Sequence, residues 1–308
     1  MLRSFGSYYC GGDVLAMSGR APRTVQVTSY LRQTFDENGD YAVGHAYVQY
    51  FVPERRNLSP PLVLIHGGGL CGTIFEQTPD GRSGWLHRLL DLGYEVHVLD
   101  SVERGRAGWS PYTVDQPPLT RTLQDAWTLF RFGPAEGYAT RSGFAGQLFP
   151  VGHMEQFGRF FVPRWVSQAR AQITALAAVV RRIGPCILLC HSQGGETAFG
   201  AADLVPDLVR GIIAVEPSGF PDDEAPATRI PLLLVHGDHL DCNAFWQDAR
   251  QRWRALVSHC AAASGRAALL DLNGLQPGAS HMPMHDRNSD EAIAFVMTAY
   301  GRLTGPQP

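Results

Sequence analysis

The 308-residue chain contains no lysine: all 26 of its basic residues are arginine. A Schiff-base aldolase, a pyridoxal-phosphate enzyme and a Ser-Lys dyad each need a titratable side-chain amine, so none of them can be built here. A Walker phosphate loop, which ends in Gly-Lys-Ser/Thr, is excluded on the same ground. Charge is sparse, at 18% of residues with a net −3, which gives no bulk attraction to nucleic acid or to an anionic membrane. No run reaches the ~18 apolar residues of a membrane span. Residues 1 to 10 lack the continuous apolar stretch of a secretory leader. The six cysteines, at 10, 71, 186, 190, 242 and 260, contain no CxxC pair and no zinc spacing. Cys186 and Cys190 read as buried thiols in an apolar run, while Cys10 and Cys71, each beside glycines, leave a disulfide between them open. This usage points to a reduced, cytoplasmic protein.

What is present is ample core material, 44% hydrophobic, in a length suited to one large domain or two small ones. Residues 23–30 and 42–52 alternate as two antiparallel strands joined by a turn at 36–40. Four nearly continuous apolar runs follow, Leu62–Ile65, Val96–Leu99, Ile187–Leu189 and Leu232–Val235, of the kind buried on both faces of a parallel sheet. Ile212–Val215 and Ala267–Leu272 add two more. Helical patterns lie between them at 83–92, 166–183, 193–204, 243–261 and 289–301. The clearest places Val166, Ala169, Ile173, Leu176, Val180 and Ile183 on one face and is stopped by Gly184-Pro185. Alternating strands and helices predict an α/β fold with a mostly parallel, twisted sheet of about eight strands flanked by helices. Residues 111–165 interrupt the alternation. They are too long for a simple connection and, with Trp127, Phe130, Phe132, Phe149, Phe157 and Phe161, too aromatic for a solvated loop. They read as a cap inserted into a core of residues 1–110 and 166–308, or as aromatics that merely glue the insertion down.

Three local signals carry chemistry. Cys190-His191-Ser192-Gln193-Gly194-Gly195 follows an apolar strand and opens a helix, the setting of a nucleophilic serine on a strained strand-to-helix turn. The usual G-x-S-x-G has glycine where this chain has Cys190, and the alternative is a serine that only caps its helix. The strand Leu62–Ile65 runs into His66-Gly67-Gly68-Gly69, whose glycines allow backbone N–H groups to converge on an oxyanion. The candidate donors are Gln193 and either Gly68 or Gly69, with His66 as a structural anchor. After the last strand comes Gly278-Ala279-Ser280-His281-Met282-Pro283-Met284-His285-Asp286, where His281 is the first candidate base and His285 the second. Pro283 and the lack of a completing carboxylate argue against a helical metal pair at His281 and His285. A metal group of His236, His239 and Asp241 is weaker still.

The order of His66-Gly67-Gly68-Gly69, Ser192 on its turn and His281 near the C-terminus resembles the α/β-hydrolase superfamily, as does the Gly-rich segment 103–110. The likeness covers about 23–303. The triad acid commonly follows the seventh strand, where this chain offers Asp238 and Asp241, neither in the usual register. It more closely resembles a bacterial carboxylesterase branch whose acid is a Glu after the sixth strand, 24 residues beyond the serine, and Glu216 stands 24 beyond Ser192. Phe130–Gly133, Phe149-Pro150 and Ser280–Asp286 resemble further pieces of that branch. The resemblance implies a serine carboxylic-ester hydrolase with a Ser192-His281-Glu216 triad, acting on a small to medium apolar or aromatic ester, with no metal or organic cofactor. Lactone, amide, thioester and C–C bond hydrolysis share the same triad, and a hydrolase-fold binding protein without chemistry is the rival from another class. Phe130, Phe149, Phe161 and Met282 are the candidate pocket residues. The arginines around the cap, such as Arg131 and Arg159, are the only fixed cations able to meet an acidic substrate, most of them reading as surface charge. The expected partner is a small-molecule ester, not nucleic acid or membrane, with a homodimer left open.

Overall fold

The computed structural model describes residues 1–56, 60–114, 116–221 and 225–305; Asp115 of the expected cap and 306–308 at the end of the expected core lie outside them. Its main sheet has eight strands in the order β1-β4-β6-β5-β7-β8-β9-β10. These are β1 (Leu2–Met17), β4 (Gly39–Pro53), β5 (Leu62–Ile65), β6 (Val96–Asp100), β7 (Cys186–His191), β8 (Val209–Val215), β9 (Leu232–His236) and β10 (Ala267–Asp271). The pairings from β6 through β10 are parallel, and β4 runs against both β1 and β6. All six apolar runs expected as strands are strands.

The antiparallel start differs from expectation. Of 23–30 only β2 (Arg23–Gln26) is a strand, and it pairs with β3 (Arg32–Phe35) in a separate two-stranded sheet rather than with 42–52. The chain reverses early because Val27 N–H donates to Leu31 O at 2.8 Å and Thr28 Oγ1 accepts from Leu31 N–H. The partner of β4 is instead β1, whose largely exposed, glycine-containing sequence lacks a buried face to announce it. Cys10, on β1, and Cys71 are both free thiols.

Side chains alternate along each central strand and divide between two cores. Leu62, Leu64, Ile187, Leu189, Leu233 and Val235 face one side, under α1 (Trp85–Asp91) and α7 (Ser289–Thr304). Val63, Ile65, Leu188, Cys190, Leu232 and Leu234 face the other, under α4 (Ala169–Ile183), α5 (Gly194–Leu204) and α6 (Ala244–Ser264). Caps set the helix ends. Asn243 Oδ1 accepts from Trp246 N–H to open α6, and Gly265, in the left-handed region, closes it.

The described residues of 111–165 include two short α-helices, α2 (Leu123–Leu129) and α3 (Met154–Gly158). Their aromatics join the first core. Phe132 stacks on Phe149 with centroids 3.7 Å apart, and Phe157 meets both edge-on. Phe149 and Met282, expected in a substrate pocket, are both fully buried in this core, and neither lines the clefts beside Ser192. Truncating the stack is expected to be costly. Phe132→Ala should lower the unfolding free energy by about 3–5 kcal/mol, measurable by denaturant titration.

Candidate active site

The elbow between β7 and α5 holds Ser192 at φ +52°, a left-handed conformation that costs a non-glycine residue energy and persists only when its surroundings impose it. They do so through close packing. A Cβ added to Gly194 would lie 2.6 Å from His66 O and 2.9 Å from Ile65 O, so the helix can start this close to β5 only with glycine there. Ser192 N–H donates to Val215 O and its own carbonyl accepts from Ser218 N–H, which locks the turn onto β8. Beside it, His66 anchors the glycine loop. Its Nε2 accepts from Ser101 N–H at 3.1 Å, which leaves Nδ1–H to donate to Gly67 O at 2.8 Å.

Glu216 begins the loop after β8, also left-handed at φ +45° and fully buried. Its Oε2 lies 2.5 Å from His281 Nδ1 and 2.8 Å from an Arg131 nitrogen. Its Oε1 accepts from the other Arg131 nitrogen at 2.5 Å and from Gly237 N–H at 2.7 Å. Burial pushes this carboxyl up, but the charge of Arg131 and the bonds from His281 and Arg131 outweigh it and hold the group well below the usual carboxylate range. An ionised carboxylate can only accept, so Nδ1 of His281 carries the proton and Nε2 is the ring's basic nitrogen. Burial pulls the His281 ring below its ordinary value, against the opposing bond and charge of Glu216.

The two alternative acids are engaged elsewhere. Asp238 accepts from His239 N–H and Gly278 N–H, and Asp241 pairs with Arg250. His285 Nε2 bonds to Ile74 O, away from the elbow. His191, next to the serine, bonds through Nε2 to the carbonyl of His281 and packs against its ring at 4.6 Å. Among the described residues no group of three or more His, Cys, Asp or Glu is placed to hold a metal ion.

Two residues in these contacts carry roles that the sequence reading did not give them. Arg131, read as a cation free to meet a substrate, is fully buried at φ +60°, forks onto Glu216, donates through Nε to Asp238 O and lies 4.2 Å over the Trp246 ring. The motif Phe130–Gly133 is plain in the sequence, but the inward direction of its guanidinium is a property of the fold. Arg159, the other named cation, bonds on the surface to Gln156. Asp286, seen only as part of the histidine loop, accepts from Ser280 Oγ–H at 2.7 Å and Ser280 N–H at 2.8 Å, bracing the residue before His281. Burial pushes its carboxyl up to about 7 against those bonds.

Ser192, Gln193, His281, Gly68 and Phe130 line one cleft of about 290 Å³. Gly68 and Phe130 continue, with Gly69 and Phe161, into an adjoining cleft of about 380 Å³. A half-buried serine on a strand-to-helix elbow, a glycine loop and a carboxylate-bound histidine thus meet at the C-terminal edge of a parallel sheet.

No protein-family model matches the chain. A novel bacterial esterase solved at atomic resolution superposes on it with a TM-score of 0.85 and 30% identity, covering 99% of this chain and 97% of its own. The chain belongs to the α/β-hydrolase superfamily. This α/β-hydrolase is also 32% identical over 217 residues to "Probable secreted lipase phiG" from Fungal sp. (strain ATCC 74256). The match spans 65% of this chain and 55%, about half, of that curated relative. That relative is named as secreted, so it lends no support to the cytoplasmic placement expected above. Among the described residues of the α/β-hydrolase no helix is long and apolar enough to cross a membrane.

The buried pair contributes to the acid response of the fold. Because the folded-state pKa of Glu216 lies below its unfolded value of about 4.5, its contribution to stability is present above that pH and lost as pH falls further. Arg131→Met should cost about 3–5 kcal/mol by stranding the carboxylate. It should also flatten the decline of Tm between about pH 5 and 3, read by calorimetry over a pH series. An equally steep decline in the variant would show that the carboxyl is held down by something other than Arg131.

Proposed function

We propose that this α/β-hydrolase cleaves carboxylic esters with Ser192 as nucleophile, His281 as general base and Glu216 as the triad acid, beneath a cap formed by residues 111–165. The observation that carries the reading is the buried bond between His281 Nδ1 and the Glu216 carboxylate. It leaves Nε2 as the basic nitrogen of a histidine that lines the same cleft as Ser192. The esterase similarity at 30% identity supports the reaction class.

In the first half-reaction Ser192 Oγ attacks the ester carbonyl carbon while His281 Nε2 takes the hydroxyl proton. Glu216 stabilises the imidazolium that forms. The tetrahedral oxyanion accepts from Gln193 N–H and from Gly68 or Gly69 N–H, at roughly 3–4 kcal/mol of transition-state stabilisation per donor in comparable sites. Collapse breaks the C–O bond, and the imidazolium protonates the departing alcohol. Water then repeats the sequence on the acyl-enzyme and releases the acid. Phe130, Trp246, Leu129 and Phe245 on the cleft wall favour a small to medium ester with an apolar or aromatic part.

Ser192→Ala should reduce kcat for p-nitrophenyl butyrate by at least about 10³-fold, and Glu216→Gln by about 10²–10⁴-fold. Asp238→Asn should retain most activity. A Glu216→Gln protein with native kcat would remove that residue from the triad; its Tm reports whether any loss comes from unfolding instead.

Activity should depend on pH through His281. The neutral ring is the base, and burial lowers its pKa, so kcat/KM should fall on the acid side with a midpoint below the ordinary value of about 6.5 and stay level from about pH 7 to 8. A midpoint above 7 would contradict a buried His281 as the base.

A further inference from the structure

Two arginines with no part in the proposed triad line both clefts. Residues 111–165 leave and rejoin the body through an antiparallel bridge, in which Leu119 N–H donates to Arg164 O at 2.7 Å and Arg164 N–H to Leu119 O at 3.1 Å. The bridge brings Arg164 beside Arg121, two residues on from Leu119. Val162 N–H donates to Gly69 O, which draws this neck against the glycine loop. The Arg164 guanidinium lies so close to that loop that a Cβ added to Gly68 would meet its Cζ at 3.0 Å.

The charges here are poorly matched. Among the described residues no carboxylate lies within 4 Å of Arg164, and its Nε is buried without a hydrogen-bond partner. Burial and the charge of Arg121 lower its pKa, against a weaker opposing pull from Glu196. Behind the loop Arg104, 2% exposed, donates to Glu103 O and has its pKa lowered to about 10 by burial and by the charge of Arg164. The guanidiniums thus repel in a row, and Asp125, which lines the larger cleft, is already paired with Arg121. Two cations against one anion leave the lining with one uncompensated positive charge.

We propose that Arg164, with Arg121, forms an anion-binding subsite, and that the preferred ester carries one free carboxylate a few bonds from its scissile carbonyl. A guanidinium fork matches a carboxylate in shape and charge, and a monoanion matches the single excess charge. The walls otherwise present Leu119, Phe130, Phe161 and Val162, which suit an apolar chain between the two groups. The inference rests on the ester-hydrolase reading and names its substrate class.

The test compares monoethyl adipate with ethyl hexanoate, equal in chain length and differing in the terminal carboxylate, by pH-stat titration. The native protein should favour the adipate in kcat/KM by roughly tenfold or more, and Arg164→Gln should erase most of that ratio through KM. Arg164→Lys should restore part of it, and added salt should weaken it. A native ratio near one, or a ratio unchanged in Arg164→Gln and in the Arg121→Gln, Arg164→Gln double variant, overturns the subsite while leaving ester hydrolysis intact. Should neither ester be turned over, the hydrolase reading fails, and calorimetry on Ser192→Ala judges the subsite alone. Tighter binding of monoethyl adipate that Arg164→Gln abolishes supports it, and equal binding of the two esters overturns it.

Discussion

The salt bridge between Arg131 and Glu216 is dry from both sides, and the geometry around it depends on its charge. An ionised carboxylate in the interior is tolerated only when its lone pairs are occupied, and here four donors supply that: two Arg131 nitrogens, Gly237 N–H and His281 Nδ1. Both partners hold left-handed backbone conformations uncommon for their residue types. Buried pairs of this kind are often weak sources of stability. Its value here is positional, because a carboxylate held ionised fixes the tautomer of His281, and the Phe130 carbonyl next to Arg131 accepts the backbone N–H of that histidine.

The residue that stabilises the proposed acid comes from 111–165, and so do the cations that face the clefts. Arg131 lies on the inner side, committed to Glu216; Arg121 and Arg164 lie at the neck, beside the glycine loop. This one segment therefore bears on both the ionisation of the acid and the potential over the serine. Its aromatic residues divide similarly. Phe132, Phe149 and Phe157 merge with the core above the sheet, whereas Phe130 and Phe161 reach the cleft wall. Gluing the insertion down and lining a site are done by different rings of the same cluster.

Much of the fold was legible because the central strands are short apolar runs that no amphipathic helix could contain, and because Gly184-Pro185 marks a helix end. The elbow and the glycine loop were legible for a related reason: close backbone approach demands small residues, and Gly194 and Gly68 are recorded directly as letters. β1 was missed because an edge strand with little buried surface carries almost no hydrophobic signal. That Phe149 and Met282 are buried in the core while Phe130 and Phe161 line the clefts was not legible, because an aromatic or a methionine looks the same in a core as on a cleft wall.

The lack of lysine, the strand and glycine spacing and the Ser–Glu interval of 24 residues were properties of the sequence alone, and they narrowed the chemistry to serine, histidine and carboxylate. Which carboxylate touches the histidine was decided in three dimensions. Glu216, Asp238 and Asp241 all end apolar strands or follow them closely, and only packing showed one bonded to His281 while the others bond to loop amides or to Arg250. The arginines make the same point more sharply. In a chain where every fixed cation is the same residue type, composition cannot separate a buried counter-ion such as Arg131 from a surface charge such as Arg159 or a cleft cation such as Arg164. Their roles follow from burial and from the distance to the nearest carboxylate, which the tertiary fold alone sets.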